Sequence, residues 1–148
     1  MYHKILVPLE SKTRLVNLDH ARRLAEGLDA ELVLLRVVRV MASEDAFFQQ
    51  IQVELGSSSA RAKAEAEAQA TALERELRAQ GLQVQAAVLV SDESEADAIV
   101  AYAESESCDL IVMSSYQQSA LSRWFLGSVA DKVRHRSSVP VLFVQAAS

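Results

Sequence analysis

The residues of this chain best placed to do chemistry are small and polar, and they cluster around two turns. Ser114 and Ser115 follow an apolar run, Leu110 to Met113. Gly127 and Ser128 open a second segment with helical spacing, in which Ser128 suits the N-cap and Asp131 follows three residues on. Glu10 and Ser11 stand just past Pro8, which ends a β-rich run from His3 to Leu9. Such groups suit the holding of an anion: backbone amides in the 114–119 loop and at Gly127-Ser128 would face phosphate, helped by the positive end of a helix dipole. The plainer reading, that Gly127 only permits a turn and Ser128 only caps a helix, is the favoured one on these residues alone.

Catalytic sets are missing from the pattern. His3, His20 and His135 lie in different segments without metal-ligand spacing, so no metal site is expected. Neither GxxxxGK[ST] nor GxGxxG occurs, and the chain has only 4 glycines. No histidine lies near Ser114, Ser115, Ser119 or Ser128 in sequence, so a nucleophile is unsupported. A phospho-receiver would need clustered acids after its first strand and an aspartate ending its third. Here the first offers Glu10 and the third ends in Val90-Ser91. No catalytic residue is assigned, and an enzyme is not expected.

The elements that must position these residues alternate along the chain. Strands are read at 3–9, 31–40, 82–90, 110–113 and 139–144, with helices at 13–28, 61–80, from about Ala96 to Ala103, and from Ser128 to about Arg136. Thr13 is the expected N-cap of the first helix. The second carries a buried stripe of Ala62, Ala66, Ala70, Leu73 and Leu77, with Gly81 at its C′ position. Leu121, Trp124 and Phe125 read as a short amphipathic turn, with Trp124 in a core or subunit contact rather than at a ligand mouth. The segment 41–59 is the least readable: Phe47, Phe48, Ile51 and Leu55 approximate helical spacing, and Gly56 with Ser57 to Ser59 breaks it. Strands apolar on both faces, alternating with helices, predict an α/β fold: one doubly wound parallel sheet with helices on both faces. Ligands of such sheets sit beyond the carboxyl ends of the strands, where strand order reverses.

Composition narrows the partners. The 148 residues suit a single domain spanning 1–148, and a net charge of −5 argues against nucleic acid or an anionic membrane. No apolar run reaches the roughly 18 residues of a membrane span. The first residues run directly into a strand, so no signal peptide is expected, and a lone Cys108, read as a small buried residue, fits a reducing cytoplasm. Val139 to Val144 is apolar on both sides; as an edge strand it needs a cover, and a homodimer pairing these strands is expected.

The pieces ILVPLE (5–10), ELVLLRVV (31–38), CDLIVMSS (108–115) and LSRWFLGSVADKVRHRSSVPVLFV (121–144) resemble the universal stress protein family over essentially the whole chain. The resemblance implies a five-stranded sheet of order 3-2-1-4-5, and dimers through the fifth strand in many members. One branch of the family binds ATP through a loop of the form G-x-x-G-x9-G-[S/T]. Aligned on that form, the first two glycines fall on Ser114 and Gln117, and the final pair on Gly127-Ser128. The implied nucleotide-binding positions are Pro8, Glu10, Val37, Met113, Ser114, Ser115, Gln117, Gly127, Ser128 and Val129. Gln117 departs from the pattern most, because glycine there permits close approach and a positive φ. The resemblance therefore implies a cytoplasmic stress-response regulator, with ATP or another adenine nucleotide bound weakly or not at all and a regulatory protein as partner. The alternative is a genuine nucleotide-binding module using the retained Gly127-Ser128 helix start.

Overall fold

The computed structural model describes residues 2–9, 16–39, 58–118, 123–125 and 128–145. Within these, the strands are β1 (Lys4–Pro8), β2 (Glu31–Arg39), β3 (Val84–Ser91), β4 (Leu110–Gln118), β5 (Arg123–Phe125) and β6 (Val141–Gln145). The helices are α1 (Val16–Leu28), α2 (Ser58–Ala79), α3 (Glu95–Ser105) and α4 (Ser128–Arg136).

Five strands are parallel, in the order β3-β2-β1-β4-β6. The last parallel strand is β6 because the short β5 intervenes in sequence and pairs antiparallel with β4. This is the expected doubly wound sheet, and alternation along its strands feeds two apolar layers. Ile5, Val7, Leu32, Leu34 and Val112 pack with Leu18, Ala21, Ala25 of α1 and Leu77 of α2. Leu6, Val33, Leu35, Ile111 and Met113 pack with Ala96, Ile99, Ala103 of α3 and Ala130, Val133 of α4. The continuous apolar runs of β1 and β2 are thus buried on both faces, as a covered parallel sheet requires.

Helix α2 buries Ala66, Ala70 and Leu77 and ends as its glycine foretells. Gly81 adopts φ +90°, its N–H donates to Arg78 O (2.9 Å), and that of Leu82 donates to Leu77 O (3.2 Å). These are the paired bonds of a Schellman stop, a conformation that costs a residue with a Cβ. At the same, amino end of the sheet Asp109 clamps the start of β1. Its carboxylate accepts from the backbone N–H of His3 (2.7 Å) and Lys4 (3.0 Å).

Several expectations need correction. The helix expected from Arg61 begins three residues earlier, at Ser58. Residues 114–118 are not a loop: β4 runs through them to Gln118, its ladder with β6 continuing to Ser115↔Gln145 and its pairing with β5 covering Tyr116 to Gln118. Trp124 and Phe125 lie in β5 and not in an amphipathic turn. Ser128 is the first helical residue of α4 rather than its cap, and Asp131 pairs forward with Arg134 (3.1 Å) instead of closing a capping box. Thr13 and residues 41–57 lie outside the described residues.

Candidate functional site

Strand order reverses at β1. The chain leaves it for β2 on one side, and β4 later takes the other, so a crevice is expected between the carboxyl ends of β1 and β4. The ladder between these strands is short, with register Ile5↔Leu110 and Leu6↔Ile111. Beyond it stand Pro8, buried at the end of β1, and Met113 and Ser114 on β4.

One wall of this region is apolar. Met113 is 6% exposed, and Val37 and Val129 pack half-buried against the same cluster, on the α3 and α4 side of the sheet. Three of the positions singled out from sequence therefore belong to one apolar layer, on three separate elements. Val37 is held in register by Leu89 of β3. Val129 sits there because α4 buries its neighbours Ala130 and Val133. Helix α4 is tied to α3 at its far end by an ion pair between Arg136 and Asp97, and Ser94 Oγ donates to the same carboxylate (2.7 Å). The guanidinium first, then the hydroxyl, holds the Asp97 carboxyl below its ordinary pKa.

The other wall is polar backbone. Ser114 pairs with Val144 and Ser115 with Gln145, while Gln117 stands opposite Trp124 in the antiparallel ribbon. Ser128 is exposed at the start of α4. Glu10 and Gly127 lie outside the described residues. Among the described residues no group of three or more His, Cys, Asp or Glu is placed to hold a metal ion. Cys108 is buried, and desolvation raises its thiol to about 11, so it is a packing residue and not a nucleophile. A cavity of about 230 Å³ lined by Ala25, Glu26, Asp29 and Gly81 lies at the opposite, amino end of the strands, away from the crevice.

Sequence reasoning passed over Asn17. It is 3% exposed, and its Nδ2 donates to Pro8 O (2.8 Å) and to Val112 O (3.2 Å), bridging β1 and β4 where their ladder stops. The signal was present: Asn17 stands one turn before Ala21 on the buried stripe of α1, a place for an apolar residue unless a polar partner waits.

The fold defines a doubly wound α/β protein whose switch point lies between β1 and β4. The profile of the universal stress protein family matches residues 1–145, and the chain belongs to that family. Curated relatives match over a shorter stretch. A universal stress protein of Methanocaldococcus jannaschii is 44% identical over 50 residues, covering 34% of this chain and 29% of that protein. The stress response protein NhaX of Bacillus subtilis is 38% identical over 50 residues, covering 34% of this chain and 30% of NhaX. The matched stretch is thus under a third of the length of either relative. Among solved structures, the universal stress protein UspA of Lactobacillus plantarum superposes with TM-score 0.79 at 20% identity, covering 97% of both chains. The protein MJ0577 superposes with TM-score 0.76 at 28% identity, covering 100% of this chain and 99% of its own. The universal stress protein of Archaeoglobus fulgidus, solved in complex with dAMP, superposes with TM-score 0.63 at 19% identity, covering 96% of this chain and 97% of its own.

Proposed function

We propose that this chain, a single domain over 1–148, is a cytoplasmic stress-response regulator. In this reading its adenine-nucleotide pocket has lost most of its affinity for phosphate. It works as a homodimer through β6 and by contact with a regulatory protein, not as an enzyme. The observation that carries the reading is the pairing of Gln117 with Trp124. A phosphate loop needs free amides and glycine-like backbone freedom. Here the 116–118 backbone is extended and committed to a ladder with β5, which takes the N–H groups of alternate residues and fixes the rest in strand geometry. The helix start at Ser128 contributes roughly 0.3–1 kcal/mol toward an anion, whereas micromolar ATP binding needs about 8 kcal/mol. We therefore expect ATP to bind more weakly than about 100 μM, which corresponds to about 5.5 kcal/mol. Isothermal calorimetry measures this directly, and a low-micromolar constant would overturn the reading.

A second reading has its own support. The apolar wall of Val37, Met113 and Val129 is intact and suits a flat base, and a fold neighbour was solved with dAMP. In that reading Pro8, Glu10, Ser114, Ser115, Gly127 and Ser128 complete a working pocket. Mass spectrometry of the purified protein separates the two: retained nucleotide favours the second reading, its absence the first.

A further inference from the structure

The ladder between β1 and β4 stops for a reason that can be traced to one atom. Leu9 donates its N–H to Leu35 O (2.8 Å) and so faces β2; one residue back, Pro8 turns its backbone toward β4. Ile111 donates to Pro140 O (3.0 Å) and faces β6, so Val112 faces β1. Continuing the register from Leu6↔Ile111, the next rung would run from the nitrogen of residue 8 to the carbonyl of Val112. Proline has no N–H, and the rung cannot form. Asn17 supplies the donor instead. Its Nδ2 carries two hydrogens, and its two acceptors are Val112 O and Pro8 O, one on each strand. An ionised aspartate would bring no hydrogen to this place and a serine only one, while an apolar residue would leave the Val112 carbonyl without the donor that Pro8 cannot supply.

We propose that Asn17 is a positioning residue: by standing in for the N–H that Pro8 lacks, it holds the carboxyl ends of β1 and β4 apart and so fixes the width of the nucleotide crevice. Ligand affinity then depends on a side chain that need not touch the ligand. The inference rests on the crevice being an adenine-nucleotide pocket, weak or strong, for its ligand arm only; its backbone arm stands without that reading.

The test removes Asn17 and gives the missing donor back to the main chain. In Asn17→Ala/Pro8→Ala the N–H of residue 8 is free to bond Val112 O and let the strands zip by one more rung. Hydrogen exchange followed by NMR should show that amide slowed at least about tenfold relative to the Pro8→Ala single variant, where Asn17 still occupies the carbonyl. The double variant should melt above Asn17→Ala alone, yet show ATP-induced shifts with a dissociation constant raised at least about fivefold over Pro8→Ala. Recovered melting with unchanged ATP affinity would overturn the positioning role and leave Asn17 a structural bond. Strong protection of residue 8 in the Pro8→Ala single variant would overturn it as well, and that variant serves if the double one does not fold. If Pro8→Ala and the unaltered protein both show no ATP shift at millimolar concentration, the pocket reading fails, while exchange at residue 8 still decides whether Asn17 keeps the strands apart.

Discussion

The two walls of the crevice meet on β4, at Met113 and Ser114, and differ in what fixes them. Met113 is set by side-chain burial: it is one of an apolar cluster drawn from β1, β2, β4, α3 and α4. One step along β4, backbone pairing takes over, with Ser114 opposite Val144, Ser115 opposite Gln145 and Gln117 opposite Trp124. The first wall can keep its shape through many apolar substitutions, because packing asks for volume and not identity. The second depends on which N–H groups are already spoken for. In the proposed reading, the wall for a base can therefore be kept while the wall for phosphate changes through backbone freedom alone.

The sharpest way to break this comparison is at the apolar wall. Met113→Ala should lower stability by about 2–3 kcal/mol in urea unfolding, as for other buried methionines. A loss under about 1 kcal/mol would mean that the wall is ligand surface and not core. On the other wall, Ser114→Gly with Gln117→Gly should do two opposite things. Each glycine should weaken the strand by roughly 0.5–1 kcal/mol. ATP should nevertheless bind at least about tenfold tighter, near 1.4 kcal/mol, by calorimetry. No gain would place the obstruction elsewhere, with Glu10 and Tyr116 next to test.

The side of β6 away from β4, which has no partner strand among the described residues, extends the comparison to backbone alone. Leu142 and Val144 pack on one apolar layer and Val141 and Phe143 on the other, so an acidic residue at 141 would unsettle the core along with any dimer. Proline is the cleaner probe. Since Pro140 O accepts from Ile111, residue 140 faces β4 and the N–H of Val141 points away from β4, to the side with no partner strand among the described residues. Val141→Pro should spare the ladder to β4 and weaken a strand-paired dimer by about tenfold or more in sedimentation equilibrium. An unchanged association constant would remove β6 pairing from the proposed function.

The smallest effect concerns how the apolar wall is braced. The folded Asp97 carboxyl sits below its ordinary value, so its contribution is present above about pH 3.8 and fades as pH falls through the folded value. Asp97→Asn should remove that part of the acid dependence, and melting curves at pH 7 and pH 3 should draw slightly closer together than in the unaltered protein. The pair is solvent-exposed, and a large change would show that the brace matters more than such pairs usually do.

Much of this was legible in the residues because it depends on composition along one segment. The apolar runs of β1 and β2, the alanine stripe of α2 and the stop at Gly81 each carry their cause locally. The ribbon of β4 and β5 was not legible. Ser-Ser-Tyr-Gln-Gln has neither an apolar run nor clear alternation, and what makes it a strand is its pairing with β6 and β5. Asn17 was missed for a related reason. Its partner Val112 is 95 residues away, and only the register of β1 against β4 reveals that Pro8 leaves a carbonyl without a donor.

The clamp from Asp109 to the first residues spans 106 positions, and this has a consequence for synthesis. The central strand leaves the ribosome first and its second neighbour arrives late. Until Leu110 emerges, β1 can pair with β2 alone, and its other edge stays open through most of translation. Contacts so distant along the chain slow folding, because loop closure comes before any reward. A circular permutant joined from the last residue to the first and opened after β3 would set β1 soon after β4 and β6. Its refolding should be faster than that of the natural order, with the same sheet at the end.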